Sequence, residues 1–261
     1  MAFRRAGEPP FAYTRAAMSE LNPSVAWVAG ATGYTGRSVV ARLAALGAEV
    51  HAHVRPDSPG FDRWETTFAG QGAQVEAVAW DPAAIAAALR RCAPTQVYAL
   101  LGTTQAKARA SVRAGQPPAD YERVDVGMTL MLLHAARSLP RPPRFVYLSS
   151  IGAGPGARGA YLQARSRVEA ELIASGVPYT IARPSFITGS DREGRLLERA
   201  SATLVDGMLT VFGALGARRL AARWGSMTGA ALAGALVDAA GDPAAENQVL
   251  EAEALRRRRR G

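Results

Sequence analysis

The chain contains 261 residues, of which 48% are hydrophobic and 20% are charged. This balance is typical of a folded globular protein of one large domain or two small ones, and it excludes a fibrous or largely disordered chain. The single cysteine, Cys92, excludes an internal disulfide and a zinc or iron–sulfur site built from cysteines alone. It suits a reducing cytoplasm.

Arginine carries almost all of the positive charge, since Lys107 is the only lysine and the formal net charge is +9. Residues 256–260 form a run of arginines, which predicts a solvated basic tail over 256–261. The remaining chain has no basic stripe with interleaved aromatic residues, so we expect no specific nucleic-acid partner.

The sequence also lacks the pattern of a membrane or secreted protein. The longest apolar stretch, near 208–215, is too short to span a bilayer, and residues 1–22 lack the apolar run of a secretory signal. We therefore expect a cytoplasmic protein that begins with a disordered extension over 1–22, within which Met18 is a candidate alternative start.

In chain order from residue 24 to 183, apolar runs of strand length alternate with helix-like segments, the pattern of a parallel sheet with helices on both faces. The predicted strands are 25–29, 49–54, 74–79, 96–101, 144–149 and 179–183, and the predicted helices are 37–46, 82–91, 121–138 and 161–175. We expect an α/β fold with one doubly wound parallel sheet, in a single domain over 23–255.

The alternation stops after residue 183. A loop-like stretch over 184–195 and helical segments from about residue 196 predict a small helical region, about 185–230, that covers the carboxyl edge of the sheet, where such folds bind ligands. The region offers both arginines and apolar residues, which suits either an anionic or an apolar small-molecule substrate.

His51 and His53 lie two residues apart in the second predicted strand and so share one face of the sheet. This spacing predicts a partly buried pair. With His134 far away in the sequence, the three histidines are too scattered to indicate a metal centre, and we predict none.

A glycine-rich loop joins the first predicted strand to the helix that follows it, with the sequence Gly30-Ala31-Thr32-Gly33-Tyr34-Thr35-Gly36. Glycines at this junction allow a tight turn and a close approach of the backbone to a pyrophosphate, which the helix N-terminus attracts. A glycine-rich turn without a ligand is the alternative. The position at the first strand–helix junction favours a dinucleotide-binding loop.

Arg55 follows the second predicted strand, about twenty residues after the loop. An acid at this place binds the ribose hydroxyls of NAD, whereas an arginine suits the additional phosphate of NADP. The sequence therefore favours NADP(H) over NAD(H), although Asp57 lies close by. Arg37, after the third glycine, is either a second phosphate contact or a surface cation.

Tyr161 and Arg165 are candidates for catalysis. They lie four residues apart at the start of a predicted helix and share one face of it. A tyrosine that transfers a proton near neutral pH needs a stabilised phenolate, and a fixed cation beside it provides this. Ser150 follows the fifth predicted strand and is placed to hold a substrate carbonyl oxygen. A surface tyrosine–arginine pair is the alternative.

Together these segments resemble the atypical short-chain dehydrogenase/reductases. The resemblance extends over about 25–255, and it is closest to the oxidoreductases named for the Tat-interacting protein and to the NmrA-like proteins. The motifs that carry it are residues 30–37, Leu101-Gly102-Thr103-Thr104, residues 147–153, Tyr161-Leu162-Gln163-Ala164-Arg165 and Arg183-Pro184.

The resemblance implies a Rossmann fold and hydride transfer between NADPH and a carbonyl or alcohol substrate. It further implies that Tyr161 donates the proton, that Arg55 binds the adenosine 2′-phosphate and that Asp81 lies near the adenine. The residues implied to line the pyrophosphate or the adenosine are Gly30, Thr32, Gly33, Tyr34, Thr35, Gly36, Leu101 and Gly102.

The chain departs from the family at Arg165, where the family has a lysine that binds the nicotinamide ribose. Arginine keeps the charge but is bulkier and planar, so the exchange is not conservative.

A second function therefore stays open: a non-catalytic NADP(H)-binding protein that reports redox state to a protein partner. A third, sugar-nucleotide epimerisation, suits the chain less, because few residues follow 183. The sequence leaves open whether the protein forms a homo-oligomer.

Overall fold

The computed structural model describes residues 24–102, 121–185, 187–188 and 227–258. The predicted extension over 1–22 lies outside these residues, as does most of the predicted covering region. No helix in the described ranges is long and apolar enough to cross a membrane.

Seven strands form one parallel sheet, in the order β3-β2-β1-β4-β5-β6-β9. The strands are β1 (Val25–Ala29), β2 (Glu49–Val54), β3 (Gln74–Ala77), β4 (Gln96–Ala99), β5 (Arg144–Leu148), β6 (Tyr179–Arg183) and β9 (Gln248–Glu251). Two short strands, β7 (Ile187–Thr188) and β8 (Met227–Thr228), pair separately. The prediction of a doubly wound parallel sheet is confirmed, and the order of the first six strands is that of a Rossmann fold.

Helices connect the strands and cover both faces of the sheet. They are α1 (Tyr34–Ala45), α2 (Phe61–Ala69), α3 (Pro82–Cys92), a π-helix (Tyr121–Met128) continued by α4 (Thr129–Arg137), α5 (Ala160–Ala174), α6 (Gly229–Gly241) and α7 (Ala252–Arg258). The single helix predicted over 121–138 is thus two joined segments. α6 and α7 lie among the helical segments predicted from about residue 196, whereas α2 and β9 were not predicted.

The predicted basic tail is wrong at its start, because the arginines at 256–258 belong to α7. Ala252 and Leu255 of this helix are buried, which holds it against the body of the protein. Arg258 Nη1 lies 2.6 Å from Asp242 Oδ2, so the third arginine of the run forms an ion pair.

β1 divides the interior into two hydrophobic layers. Ala26 and Val28 face the layer that contains α1 and α6, whereas Trp27 and Ala29 face the layer formed by α3, α4 and α5. All four side chains are fully buried, as expected for a central strand of a parallel sheet with helices on both faces. Burial of each large apolar side chain contributes roughly 1.5–3 kcal/mol.

The neighbours of β1 are β2 on one side and β4 on the other, so the order of the strands reverses at this point. In open parallel sheets the crevice at the carboxyl ends of two such strands is the place where ligands bind. The topology therefore predicts a ligand site at the carboxyl ends of β1 and β4.

The two histidines of β2 are buried on the Trp27 face, each with 4% exposure, which confirms the predicted pairing on one face. The His53 ring lies 5.7 Å from the Trp27 ring and 4.7 Å from the Trp80 ring, and its Nε2 donates to the Val78 carbonyl at 2.8 Å. Burial lowers the pKa of His53 below its ordinary value of 6.5, so the folded protein holds a neutral ring.

This burial predicts a pH dependence of stability. Below its ordinary pKa of 6.5, His53 takes up a proton more readily in the unfolded chain than in the native one. The free energy of unfolding should therefore fall as the pH drops from about 7.5 to about 5. His53→Gln, which does not titrate, should lose less stability over this range in urea denaturation.

The exposed His134 supplies the control. His134→Gln should behave as the native protein does at both pH values. Equal pH dependence of stability in the native protein and in His53→Gln would show that His53 does not cause it.

Candidate functional site

The glycine loop packs β1 directly against α1. Gly30 has φ +82°, and a Cβ there would lie 2.6 Å from the Leu100 carbonyl oxygen. A Cβ on Gly36 would overlap the carbonyl oxygen of Gly30. The close approach of strand, loop and helix thus requires glycine at both positions.

Gly33 is the N-cap of α1, so no side chain caps the amides of the first turn from this position. The first turn also contains no acidic residue. Free amides and the positive end of the helix dipole favour an anion there. The uncapped helix start, with no acid beside it, therefore suits the negative charge of a pyrophosphate.

Tyr34 connects the loop to the C-terminal part of the chain. Its hydroxyl oxygen accepts from the Gly229 N–H at 3.3 Å, and a Cβ on Gly229 would come within 2.5 Å of the tyrosine ring. The ring therefore packs against the start of α6. Thr35 beside it is buried, and Thr32 is partly exposed.

Arg55 lies directly after β2, at the same edge of the sheet as the loop. Its side chain is 44% exposed, and its Nη1 lies 3.6 Å from Oδ2 of Asp57, which is 77% exposed. Because such exposed pairs contribute little, the guanidinium can exchange this partner for a phosphate. The Arg37 guanidinium lies 5.8 Å from the centre of the Trp64 ring.

Asp81, which the resemblance places near the adenine, caps a helix. It is the N-cap of α3, where its Oδ1 accepts from the Ala84 N–H at 2.9 Å.

Leu101 and Gly102 follow β4 at the carboxyl edge, and a Cβ on Gly102 would lie 2.7 Å from Arg165 Nη2. Thr103 and Thr104 lie outside the described residues.

Tyr161 and Arg165 share one face of α5, as the spacing predicts. The Arg165 guanidinium carbon lies 5.2 Å from the centre of the Tyr161 ring. The Tyr121 ring of the π-helix contacts the Tyr161 ring edge-on, with the two ring centres 5.4 Å apart. Tyr161 is partly exposed, whereas only 5% of Arg165 is exposed. The cation therefore lies below the tyrosine, on its interior side.

Arg165 joins four elements through its two terminal nitrogens. Nη2 lies 2.7 Å from Oδ1 of the fully buried Asp125 on the π-helix. Nη1 donates to the carbonyl of Leu101 after β4 at 3.1 Å, and to the Leu148 carbonyl and the Tyr147 hydroxyl of β5 at 3.0 and 3.2 Å. The arginine thus binds α5 to the ends of two strands and to the π-helix.

The electrostatics of this cluster keep the arginine charged. Burial alone would lower the pKa of Arg165, but Tyr161, Tyr147 and Asp125 together raise the pKa above its ordinary value. Burial raises the pKa of Tyr147 to about 12 although Arg165 acts in the opposite direction. Arg165 Nε is buried and has no hydrogen-bond partner among the described residues.

The two adjacent serines after β5 have different environments. Ser149 is buried and donates to Glu169 Oε1 at 2.5 Å, while the partly exposed Ser150 makes only a 3.4 Å contact with the Ile151 carbonyl. Glu169 also accepts from Arg183 Nε and Nη2 at 3.0 and 2.7 Å. Among the described residues, Ser149 is thus held by an acid, whereas the Ser150 hydroxyl has one weak contact.

Sequence reasoning missed the acidic partners in this cluster. Glu169 lies one further helical turn along the face of Tyr161 and Arg165, so the spacing contained a signal for it. Asp125 had no such signal, because it reaches Arg165 only through the packing of the π-helix against α5.

A family profile described as NAD(P)H-binding matches residues 30–211, about 70% of the chain. The chain belongs to this NAD(P)H-binding family. The match begins at the first glycine of the loop, and it confirms the predicted nicotinamide cofactor without distinguishing NADP from NAD. No curated protein matches the sequence significantly.

Solved structures confirm the fold. A short-chain dehydrogenase/reductase family oxidoreductase from Burkholderia thailandensis is 18% identical, with a TM-score of 0.58 over 88% of this chain and 91% of its own. The terminal R domain of the myxalamid PKS-NRPS biosynthetic pathway is 18% identical, with a TM-score of 0.61 over 88% of this chain. This chain spans 66% of the R domain's length.

The buried ion pair predicts a large effect on stability. Arg165→Met should lower the free energy of unfolding by about 3–5 kcal/mol, because it leaves the Asp125 carboxylate buried without its cation. Replacing both residues, Arg165→Met with Asp125→Leu, should recover much of this loss. Urea denaturation of the three proteins measures both effects.

Arg167 provides a matched control two residues further along α5. It pairs with Glu122 of the π-helix at 2.8 Å, but both side chains are more than half exposed. Arg167→Met should cost less than about 1 kcal/mol. A similar loss from the two arginine variants would show that burial does not determine the contribution of Arg165.

Proposed function

We propose that this NAD(P)H-binding protein is an NADPH-dependent oxidoreductase that transfers hydride between the nicotinamide and a carbonyl or alcohol substrate. The observation that carries the proposal is the stacking of the partly exposed Tyr161 ring over the buried Arg165 guanidinium, 5.2 Å away. This pair lies at the carboxyl edge of β4 and β5, the edge that also holds the glycine loop. The Tyr161–Arg165 pair and the glycine loop thus share one edge of the sheet, which supports a proton donor beside the cofactor.

In this proposal, different residues bind the pyrophosphate, the 2′-phosphate and the adenosine of the cofactor. The amides at the N-terminus of α1 would hold the pyrophosphate, with Thr32, Gly33, Tyr34 and Thr35 lining it. Arg55 pairs with the 2′-phosphate of the adenosine in place of its weak contact with Asp57. Leu101 and Gly102 lie along the adenosine side of the cofactor.

The chemistry then depends on three side chains. NADPH, when bound, supplies the hydride to the carbonyl carbon of the substrate. Tyr161 donates its phenolic proton to the carbonyl oxygen, and the Ser150 hydroxyl donates a hydrogen bond to the same oxygen. The Arg165 cation stabilises the phenolate that Tyr161 becomes, and solvent returns the proton afterwards. Alcohol oxidation runs through the same steps in reverse.

A second candidate function is a non-catalytic NADP(H) sensor that reports redox state to a protein partner. The observation that favours it is the use of Arg165 within the fold: Asp125, Tyr147 and two carbonyl oxygens occupy its terminal nitrogens. An arginine held in this way stabilises the crevice and need not contact the nicotinamide ribose. Tyr161 would then be a packing residue beside Tyr121.

The proposed role of Arg55 predicts a change in cofactor preference. Arg55→Ala should weaken NADPH binding about 10–100-fold through the loss of charged hydrogen bonds to phosphate, and NADH binding should stay within about twofold. Titrations that follow nicotinamide fluorescence measure both affinities.

Arg90→Ala is the matched control, because it removes one positive charge near the C-terminus of α3, at the opposite edge of the sheet. It should leave both affinities unchanged. An equal loss of NADPH and NADH binding in Arg55→Ala would contradict a contact with the 2′-phosphate.

The proposed role of Tyr161 predicts a separation of binding from turnover. Tyr161→Phe keeps the ring over Arg165 but lacks the proton, so NADPH oxidation with a reactive carbonyl should fall at least about 100-fold. NADPH affinity should stay within about twofold of the native value. Tyr179→Phe, at the start of β6, is the control with unchanged turnover.

These measurements also separate the two functions. Native turnover in a carbonyl panel that Tyr161→Phe retains would overturn the proposed proton transfer. NADPH binding without any turnover above background would instead favour the sensor.

A further inference from the structure

A cluster of three potential ligands lies on the Trp27 face of the sheet, away from the glycine loop. We propose that His51, Glu76 and Cys92 form a site for a divalent transition metal, with Zn²⁺ as the best fit. β2 contributes His51, β3 contributes Glu76, and Cys92 is the last residue of α3. Their ligand atoms all lie within 4.8 Å of one another.

Two donors already converge on one oxygen of the cluster. His51 Nδ1 lies 2.9 Å from Glu76 Oε1, and Cys92 Sγ donates to the same oxygen at 3.4 Å. A tetrahedral zinc with bonds of about 2.0–2.3 Å separates its ligand atoms by roughly 3.2–3.6 Å. The sulfur–oxygen distance lies within this range and the nitrogen–oxygen distance is about 0.3 Å below it, while the nitrogen–sulfur distance is at most 4.8 Å.

Metal binding would exchange the Cys92 thiol proton for the metal. His51 Nδ1 must be deprotonated to coordinate, and the Cys92 thiol must lose its proton, which a dication promotes. The thiolate and the Glu76 carboxylate then balance the two charges of the metal, while His51 binds as a neutral ring. The thiol proton leaves to solvent, and the ring keeps its one proton on Nε2.

The surroundings of the cluster suit this exchange. His51 Nε2 lies 3.0 Å from Glu49 Oε1, so a metal on Nδ1 would leave the other ring N–H to donate to a carboxylate. Ligating histidines in metal sites almost always donate their other ring N–H to a carboxylate, a backbone carbonyl or a water molecule. Arg91 pairs with Glu76 Oε2, which fixes the carboxylate and leaves Oε1 to the metal.

The composition and access of the site narrow the choice of metal. Nitrogen, oxygen and sulfur donors together suit zinc or a similar transition metal, whereas Mg²⁺ and Ca²⁺ prefer oxygen alone. His51 and Glu76 are buried, but Cys92 is partly exposed and the Arg91 side chain is 62% exposed. A metal can thus enter beside the end of α3, and water can complete the coordination.

Cobalt(II) titration of the purified full chain tests the proposal. Because Cys92 is the only cysteine, a sulfur-to-cobalt charge-transfer band can arise from no other residue. We expect this band and intense visible bands of tetrahedral cobalt to saturate at one equivalent, and one equivalent of Zn²⁺ to remove them. Zn²⁺ should also raise the Tm of the native protein.

Substitutions of single residues identify which side chains bind the metal. Cys92→Ser should abolish the charge-transfer band and the rise in Tm, and His51→Gln should weaken cobalt binding at least about tenfold. Glu49→Gln should weaken it about 10–100-fold through the loss of the carboxylate behind His51. His134→Gln, which changes an exposed histidine outside the cluster, is the matched control and should bind as the native protein does.

Two outcomes would overturn the site. One is the absence of a charge-transfer band at stoichiometric cobalt in the native protein, which would leave the cluster as a hydrogen-bonded network only. The other is a band of unchanged affinity in His51→Gln, which would indicate cobalt bound to an isolated thiol. Thermal unfolding without metal shows that each variant is folded, and the NADPH titrations are independent of both outcomes.

Discussion

The charge of Arg165 lies beneath the carboxyl edge of the sheet, and the arrangement of that edge depends on it. A buried guanidinium without partners would cost several kcal/mol, so the fold must surround it with acceptors. Asp125 supplies the opposite charge, and the carbonyls of Leu101 and Leu148 supply oxygens from the ends of β4 and β5. The relative positions of the π-helix, two strands and α5 are therefore linked through one side chain.

The same helix face organises the rest of the edge. Tyr161, Arg165 and Glu169 succeed one another at intervals of four residues, so each reaches a different depth of the crevice. Tyr161 is partly exposed, Arg165 is buried below it, and Glu169 binds Ser149 and Arg183 further along. Because the two deeper residues are held by several partners, the tyrosine above them has a fixed support. Such support is what a precisely placed proton donor requires.

Arg165 stands where the resemblance to short-chain dehydrogenase/reductases implies a lysine, and its contacts show what an arginine adds there. A lysine offers a point charge on a flexible stem, whereas the planar fork of arginine can satisfy several acceptors in fixed directions. At position 165 the fork contacts Asp125, Tyr147 and two carbonyls at once. The exchange thus adds connections that stabilise the crevice, while the charge beneath Tyr161 is kept.

The sequence was sufficient for features that local patterns determine. The six predicted strands, the glycine loop and the shared face of Tyr161 and Arg165 all follow from periodicity or spacing within one segment. Features that arise from tertiary packing could not be predicted from the sequence. The polar surface of α2 hid that helix, and β9 is a short edge strand that depends on pairing with β6. Asp125 and the acidic partners of Arg183 become visible only when distant segments meet.

The cluster at His51 illustrates the same limit. Its residues are 25 and 16 positions apart along the chain and come from two strands and a helix, so no spacing motif could indicate them. β2 joins this cluster to the nucleotide site, with Glu49 at its first residue and Arg55 just after its last. The ligand His51 lies four residues before Arg55, so the two are about 13 Å apart along the strand. That separation exceeds the Debye length of about 8–10 Å and Arg55 is half-exposed, so a metal at His51 would interact only weakly with the charge of Arg55.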